Sequence, residues 1–118
     1  MCVLVVDDVP EILALLARRL KKAGHVVMTA TNGTDAVRLL DEHPGFFTGL
    51  VTDYHMSLEV TGGHLIEQMR HRYPKIPMVL STGFPDVVTP EWLTQNNVTM
   101  LRKPYSIKRL LEVVEQSL

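Results

Sequence analysis

Cysteine occurs once in 118 residues, as Cys2. That excludes an intramolecular disulfide and fits a reducing compartment, so the expected location is cytoplasmic and Cys2 is expected to pack as a small apolar residue. No apolar run approaches the roughly 20 residues of a membrane-spanning helix, which excludes that kind of membrane protein. Charge of one sign is missing too: 12 Lys and Arg face 13 Asp and Glu, for a formal net charge of -1. The basic residues are scattered among the acids, so nothing favours DNA or RNA as a partner. The one basic run, Arg18 to Lys22, reads as the end of a helix, where cations suit the negative end of the dipole. Internal repeats, low-complexity tracts and linkers are absent as well. What remains is expected to be one domain over residues 1–118, long enough to bury a core, and either a stand-alone protein or a part of a longer one.

Apolar runs alternate with helical patterns along the whole chain, the pattern of repeated βα units and a parallel sheet. Strands are predicted at 3–7 (VLVVD), 25–30 (HVVMTA), 49–53 (GLVTD), 77–82 (PMVLST) and 98–101 (VTML). The first helix carries Ile12, Leu13, Leu16 and Leu20, with Pro10 in its first turn and Gly24 suited to the position just past its end. A second uses Ala36, Val37, Leu39 and Leu40, and a third uses Leu65, Ile66 and Met69. A short fourth opens at Thr89-Pro90, and a fifth runs from Ser106 through Ile107, Leu110, Leu111 and Val114 to Leu118. Five βα units predict an α/β doubly wound sandwich of flavodoxin-like type, (βα)5, with strand order 2-1-3-4-5. Ligands are then expected at the carboxyl ends of strands 1 and 3.

Those ends carry the chemistry. Strand 1 finishes in Asp7 and Asp8, strand 3 in Asp53 and strand 4 in Thr82, while Lys103-Pro104 follows strand 5. Three carboxylates held close together would repel one another by a few kcal/mol each at an effective dielectric near 20, roughly, and one lysine offsets only part of that. A divalent cation resolves the conflict. Hard oxygen donors without a supporting pair of His or Cys favour Mg²⁺, with Mn²⁺ as an acceptable substitute, over zinc. Beside such an ion Asp53 can act as an in-line nucleophile toward a phosphoryl group. Lys103 would neutralise the developing charge, and Thr82 would hydrogen-bond a phosphoryl oxygen once it is attached.

Four stretches, VLVVDD, the aspartate of VTDYHM, VLSTG and LRKPY, occur in the order and at the spacing of the receiver domains of two-component response regulators. The chain resembles that CheY-like family from end to end. The resemblance implies phosphoryl transfer to Asp53 from a phosphohistidine on a histidine kinase or histidine phosphotransfer protein, followed by a shift between inactive and active conformations. It implies that Asp8 and Asp53 ligate Mg²⁺, Asp7 directly or through water, and that the main-chain carbonyl of His55 adds an oxygen. It also implies a cis peptide at Lys103-Pro104 and self-phosphorylation chemistry rather than turnover, and it is compatible with a stand-alone receiver or with a covalently attached output or kinase domain, a hybrid sensor kinase being slightly favoured by the MLRKPYSIKRLL ending. A homodimer is compatible with it.

The chain departs from the family pattern in two places. Ser57 replaces the usual proline and Gly62 falls nine positions beyond Asp53, which predicts a loop one residue longer and less stiff. Met100 stands where the family usually has Tyr or Phe as partner of the switch threonine Thr82. Signalling is therefore expected to rely on movement of the segment from Gly83 to Val88 more than on an aromatic rotamer. His55 and Phe84, each two residues past a site residue, are read as modulators of water access or as plain loop residues. Trp92 is read as a packing residue or part of a partner surface. An aspartyl-phosphate phosphatase would usually carry an acid at position 55, and a flavin-binding module would not place acids in its first loop. A degenerate receiver acting only as an interaction module would show no Mg²⁺-dependent phosphoryl chemistry.

Overall fold

The computed structural model describes residues 2–56 and 60–117. Among them, β1 (Cys2–Val6), β2 (Val26–Ala30), β3 (Phe47–Asp53), β4 (Met78–Thr82) and β5 (Val98–Arg102) form a parallel sheet in the order β2-β1-β3-β4-β5. The intervening helices are α1 (Pro10–Lys22), α2 (Gly33–Glu42), α3 (Gly62–Arg72), α4 (Pro90–Asn96) and α5 (Ile107–Ser117). This is the predicted flavodoxin-like topology. No described helix is long and apolar enough to cross a membrane.

Strand alternation divides the apolar residues between two cores. Cys2, Leu4 and Val6 of β1 join Met78 and Leu80 of β4 beneath α2 and α3. Val3, Val5 and Val79 face the other way, onto Leu16 and Leu20 of α1 and Leu110 and Val114 of α5. Both faces of β1 and β4 are thus covered, which is why their sequences read as continuous apolar runs. Each fully buried Leu or Val contributes about 1.5–3 kcal/mol of transfer free energy. β2 is an edge strand, and Val26 is 54% exposed.

Caps set the helix starts. Asn32, Thr61 and Thr89 accept backbone N–H bonds from Asp35, His64 and Trp92 at 2.7, 3.2 and 3.0 Å, and Ser106 accepts from Arg109 at 3.1 Å. Each satisfies a donor that the first turn leaves free. Gly24 has φ of +98° just past α1, and Arg19, Lys21 and Lys22 close that helix, as predicted. Strand ends differ from the sequence expectation by one or two residues, and the differences in β1 and β3 bear on the site. β1 ends at Val6, with Asp7 just beyond it, although the Asp7 N–H still bonds the Ala30 carbonyl at 3.2 Å. β3 begins at Phe47 instead of Gly49, because the pairing with β1 shifts by one residue between Cys2 and Val3. Such a bulge leaves no mark in the hydrophobic alternation. Leu118 lies outside the described residues.

Candidate functional site

The alternation that builds the cores also aims the acids. Asp7 continues the face of Val3 and Val5, and Asp53 that of Val51, all on the α1–α5 side of neighbouring strands. At the carboxyl ends of those strands, carboxylate oxygens of Asp7, Asp8 and Asp53 lie within 4.8 Å of one another. Asp7 and Asp53 are only 3% and 4% exposed, whereas Asp8 faces solvent.

Lys103 completes the cluster. Its Nζ donates to Asp53 Oδ2 at 3.0 Å, and its backbone N–H is fixed on the Thr82 carbonyl at 2.8 Å. The Lys103-Pro104 peptide is cis, as the resemblance implies. Asp53 Oδ1 is buried and has no hydrogen-bond partner among the described residues. A buried carboxylate oxygen without a donor is costly, and two further carboxylates stand beside it. An unpartnered oxygen beside two further carboxylates fits a hard divalent cation such as Mg²⁺.

Electrostatics support the same conclusion. Burial pushes the Asp7 carboxyl above the usual carboxylate range; the Val9 N–H, bonded to Oδ1 at 2.9 Å, opposes this, and the charges of Asp53 and Asp8 add to it. Folding therefore favours protonated Asp7. In the metal-free protein its contribution to stability is full below the unfolded carboxylate pKa and is lost as pH rises through the raised value. Asp7→Asn is expected to raise the melting temperature of the metal-free protein by about 3 °C at neutral pH, and to shrink the rise that Mg²⁺ produces. Melts in EDTA and in Mg²⁺ check both. For Lys103, burial disfavours the ammonium, but the hydrogen bond and charge of Asp53 outweigh it and hold the pKa above the ordinary lysine range.

The end of β3 is pinned from several sides. Tyr54 N–H bonds the Ser81 carbonyl and Gly62 N–H bonds the Tyr54 carbonyl, both at 2.9 Å. A Cβ on Gly62 would collide with the Asp53 carbonyl oxygen and come within 2.8 Å of Tyr54 Cα. Only glycine lets α3 start this close to the residue carrying the central carboxylate. Gly62 was noted in the sequence for its spacing; its backbone contact with Asp53 is visible only in the fold. Ser57 and the extra loop residue lie outside the described residues.

The Thr82 hydroxyl is not joined to this cluster. It is turned to the chain that follows, donating to the Phe84 carbonyl at 3.3 Å and accepting from the Phe84 N–H at 3.0 Å. Phe84 is 63% exposed. Its ring lies edge-on to His55 at 5.1 Å, and His55 lies against Tyr54 at 4.9 Å. The two residues singled out separately in the sequence thus touch. The alignment of Asp53 with Ser81 across β3 and β4, which carries both chains to the same height, is the signal that predicts it. Met100 is half-buried and pairs with Leu80, which puts it on the sheet face of Thr82.

The described residues thus form a flavodoxin-like α/β domain whose crevice gathers three carboxylates and a lysine, a set of groups that could hold a metal ion. The response regulator receiver domain family matches residues 3–115, and the chain belongs to that family. Among its relatives, the response regulator receiver protein CpdR of Brucella abortus is 29% identical over 98% of this chain and 95% of its own length. The putative response regulator NtrX-like of Rickettsia felis is 26% identical over 98% of this chain. The chain spans only 24% of that relative's length. Among solved structures, the receiver domain from the hybrid histidine kinase CckA superposes with a TM-score of 0.79 at 29% identity, covering 100% of this chain and 99% of that one. The family is a signalling module of two-component systems.

Proposed function

We propose that this receiver domain accepts a phosphoryl group on Asp53 from a phosphohistidine of a histidine kinase or histidine phosphotransfer protein, and signals by a change of conformation. The observation that carries this reading is Asp53 itself: nearly buried, paired with Lys103 on Oδ2, and free on Oδ1 beside Asp7 and Asp8. In the step, an Asp53 oxygen forms a bond to phosphorus as the phosphorus–nitrogen bond breaks, and the imidazole leaves with the bonding pair. Lys103 stabilises the charge on the transferred oxygens. Asp7, Asp8 and Asp53, with the His55 main-chain carbonyl, would hold Mg²⁺, which supplies further charge neutralisation when bound.

The Thr82 contacts support a specific route for the signal. To reach a phosphoryl oxygen on Asp53, the Thr82 hydroxyl must leave the Phe84 backbone. That frees the segment from Gly83 to Val88 and withdraws the Phe84 ring from His55. With Met100 in place of an aromatic ring, this segment is the moving part. Beryllofluoride with Mg²⁺, a mimic of the phosphoryl group, is expected to shift the amide NMR signals of Gly83 to Val88 by far more than those of α1. Signals that stay in place with the mimic bound would refute the route. The contact of the His55 and Phe84 rings belongs to the resting form and opposes movement of this segment, so Phe84→Ala is expected to speed acetyl phosphate labelling about twofold, as followed by gain of label with time.

Likeness to NtrX-like proteins and to the CckA receiver supports attachment to an output or kinase domain. Likeness to CpdR along nearly its whole length supports a stand-alone receiver. Binding without phosphorylation, as in a degenerate receiver, is disfavoured because none of the reactive side chains is missing.

A further inference from the structure

The fourth helix is attached to the fold in an unusual way. None of the seven residues of α4 is buried, so apolar packing holds it weakly. Beneath its first turn lies a cavity of about 310 Å³, lined by Tyr54, His64, Val88 and Trp92 among others. Polar bonds from α3 grip it at both ends. Near its start, Trp92 Nε1 donates to Glu67 Oε2 at 3.0 Å. At its end, the Arg70 guanidinium donates through Nε to the Asn96 carbonyl at 2.7 Å and through Nη2 to the Asn97 carbonyl at 3.2 Å, while Nη1 holds the Tyr73 carbonyl at 3.0 Å.

Glu67 and Arg70 are three residues apart and so share one face of α3. α4 has no basic residue in its own last turn. Its free carbonyls and the negative end of its dipole are therefore served by a cation from the neighbouring helix. Asn97 ends the helix in the left-handed region, φ 53°, where its carbonyl accepts from Arg70.

We infer that Glu67 and Arg70 form a two-point clasp that keeps α4 in its resting position, and that release of the clasp is coupled to phosphorylation of Asp53. The coupling rests on the phosphoacceptor reading. Its physical link is the segment between Thr82 and the α4 cap Thr89: once the Thr82 hydroxyl leaves Phe84, the chain entering α4 loses an anchor, and the two grips on α3, with the packing of Trp92 against the core, oppose movement. A clasp of this kind lowers the population of the active form, and loosening it removes that penalty.

The test compares wild type with Arg70→Met, Glu67→Leu and the double variant, using Glu67→Gln as a control that keeps an acceptor for the indole. Hydrogen exchange of the unphosphorylated proteins reads the clasp directly. Peptides covering residues 90–97 are expected to exchange faster in Arg70→Met and fastest in the double variant, with β1 and β3 peptides still protected, which shows that the fold is intact. Trp92 is the only tryptophan, and Arg70 bonds the far end of α4. Arg70→Met is therefore expected to move its emission toward that of wild type with beryllofluoride. Acetyl phosphate labelling of the double variant is expected to run about three- to tenfold faster than wild type, and Glu67→Gln to match wild type. Unchanged exchange in α4 would overturn the clasp, and unchanged or slower labelling would overturn its coupling to Asp53. A wild-type protein that takes no label would instead overturn the phosphoacceptor reading, while the exchange measurement still decides whether the clasp exists.

Discussion

Lys103→Met is expected to slow phosphoryl labelling of Asp53 by about 100-fold and to destabilise the metal-free protein by about 1–3 kcal/mol. The rate effect follows from removing the ammonium bonded to the proposed phosphoacceptor carboxylate, a donor aimed where charge would develop. The stability effect has a separate origin. Asp53 is 4% exposed, and its Oδ2 bond to Lys103 is the side-chain hydrogen bond it makes among the described residues. Methionine fills the space of the lysine stem but leaves both carboxylate oxygens without a protein donor. Because pairing holds the Lys103 pKa above the ordinary range, its contribution is complete below the unfolded lysine pKa and fades as pH rises through the raised value. The gap in melting temperature between wild type and variant should therefore persist through neutral pH and close only in strong alkali. Mg²⁺ is expected to narrow it at neutral pH by neutralising the same carboxylates. A gap indifferent to both pH and Mg²⁺ would show that packing of the lysine stem, and not its charge, is what matters.

Asp53→Asn is expected to have the larger functional effect, lowering labelling by at least about 1,000-fold, since an amide oxygen is a poor nucleophile toward phosphorus. It keeps the shape of the side chain and an acceptor for Lys103. It also removes one of three carboxylates that lie within 4.8 Å. The rise in melting temperature on adding Mg²⁺ should shrink with it, reporting the metal site without reference to phosphorylation. Loss of label with an unchanged Mg²⁺ response would place the metal elsewhere.

The fold, and the three acids and the lysine that meet in its crevice, were legible in the sequence for one reason. In a doubly wound sheet, strands buried on both faces are long apolar runs, and the reactive residues sit where those runs stop. VLVV followed by DD, and LVT followed by D, therefore announce both a strand and a site. What the linear order hides is how the ends of different strands meet. Asp7 and Asp8 look equivalent as neighbours, yet strand alternation sends Asp7 under the sheet edge and Asp8 into water. The metal-free strain therefore centres on Asp7. The bond of the Thr82 hydroxyl to the Phe84 backbone depends on a local turn that no periodicity encodes. The grip of α3 on α4 joins residues 25 to 27 positions apart, on a helix whose pattern marks only its start, at Thr89-Pro90. Its end is an αL asparagine, a weaker signal than glycine.

The most direct measurement is intact-mass analysis of the protein after incubation with a phosphohistidine donor, with Mg²⁺ or with EDTA, followed by mapping of the label. The account predicts one phosphoryl group per chain in Mg²⁺, carried on Asp53, and none in EDTA. A label that survives EDTA, or that persists in Asp53→Asn, would contradict it.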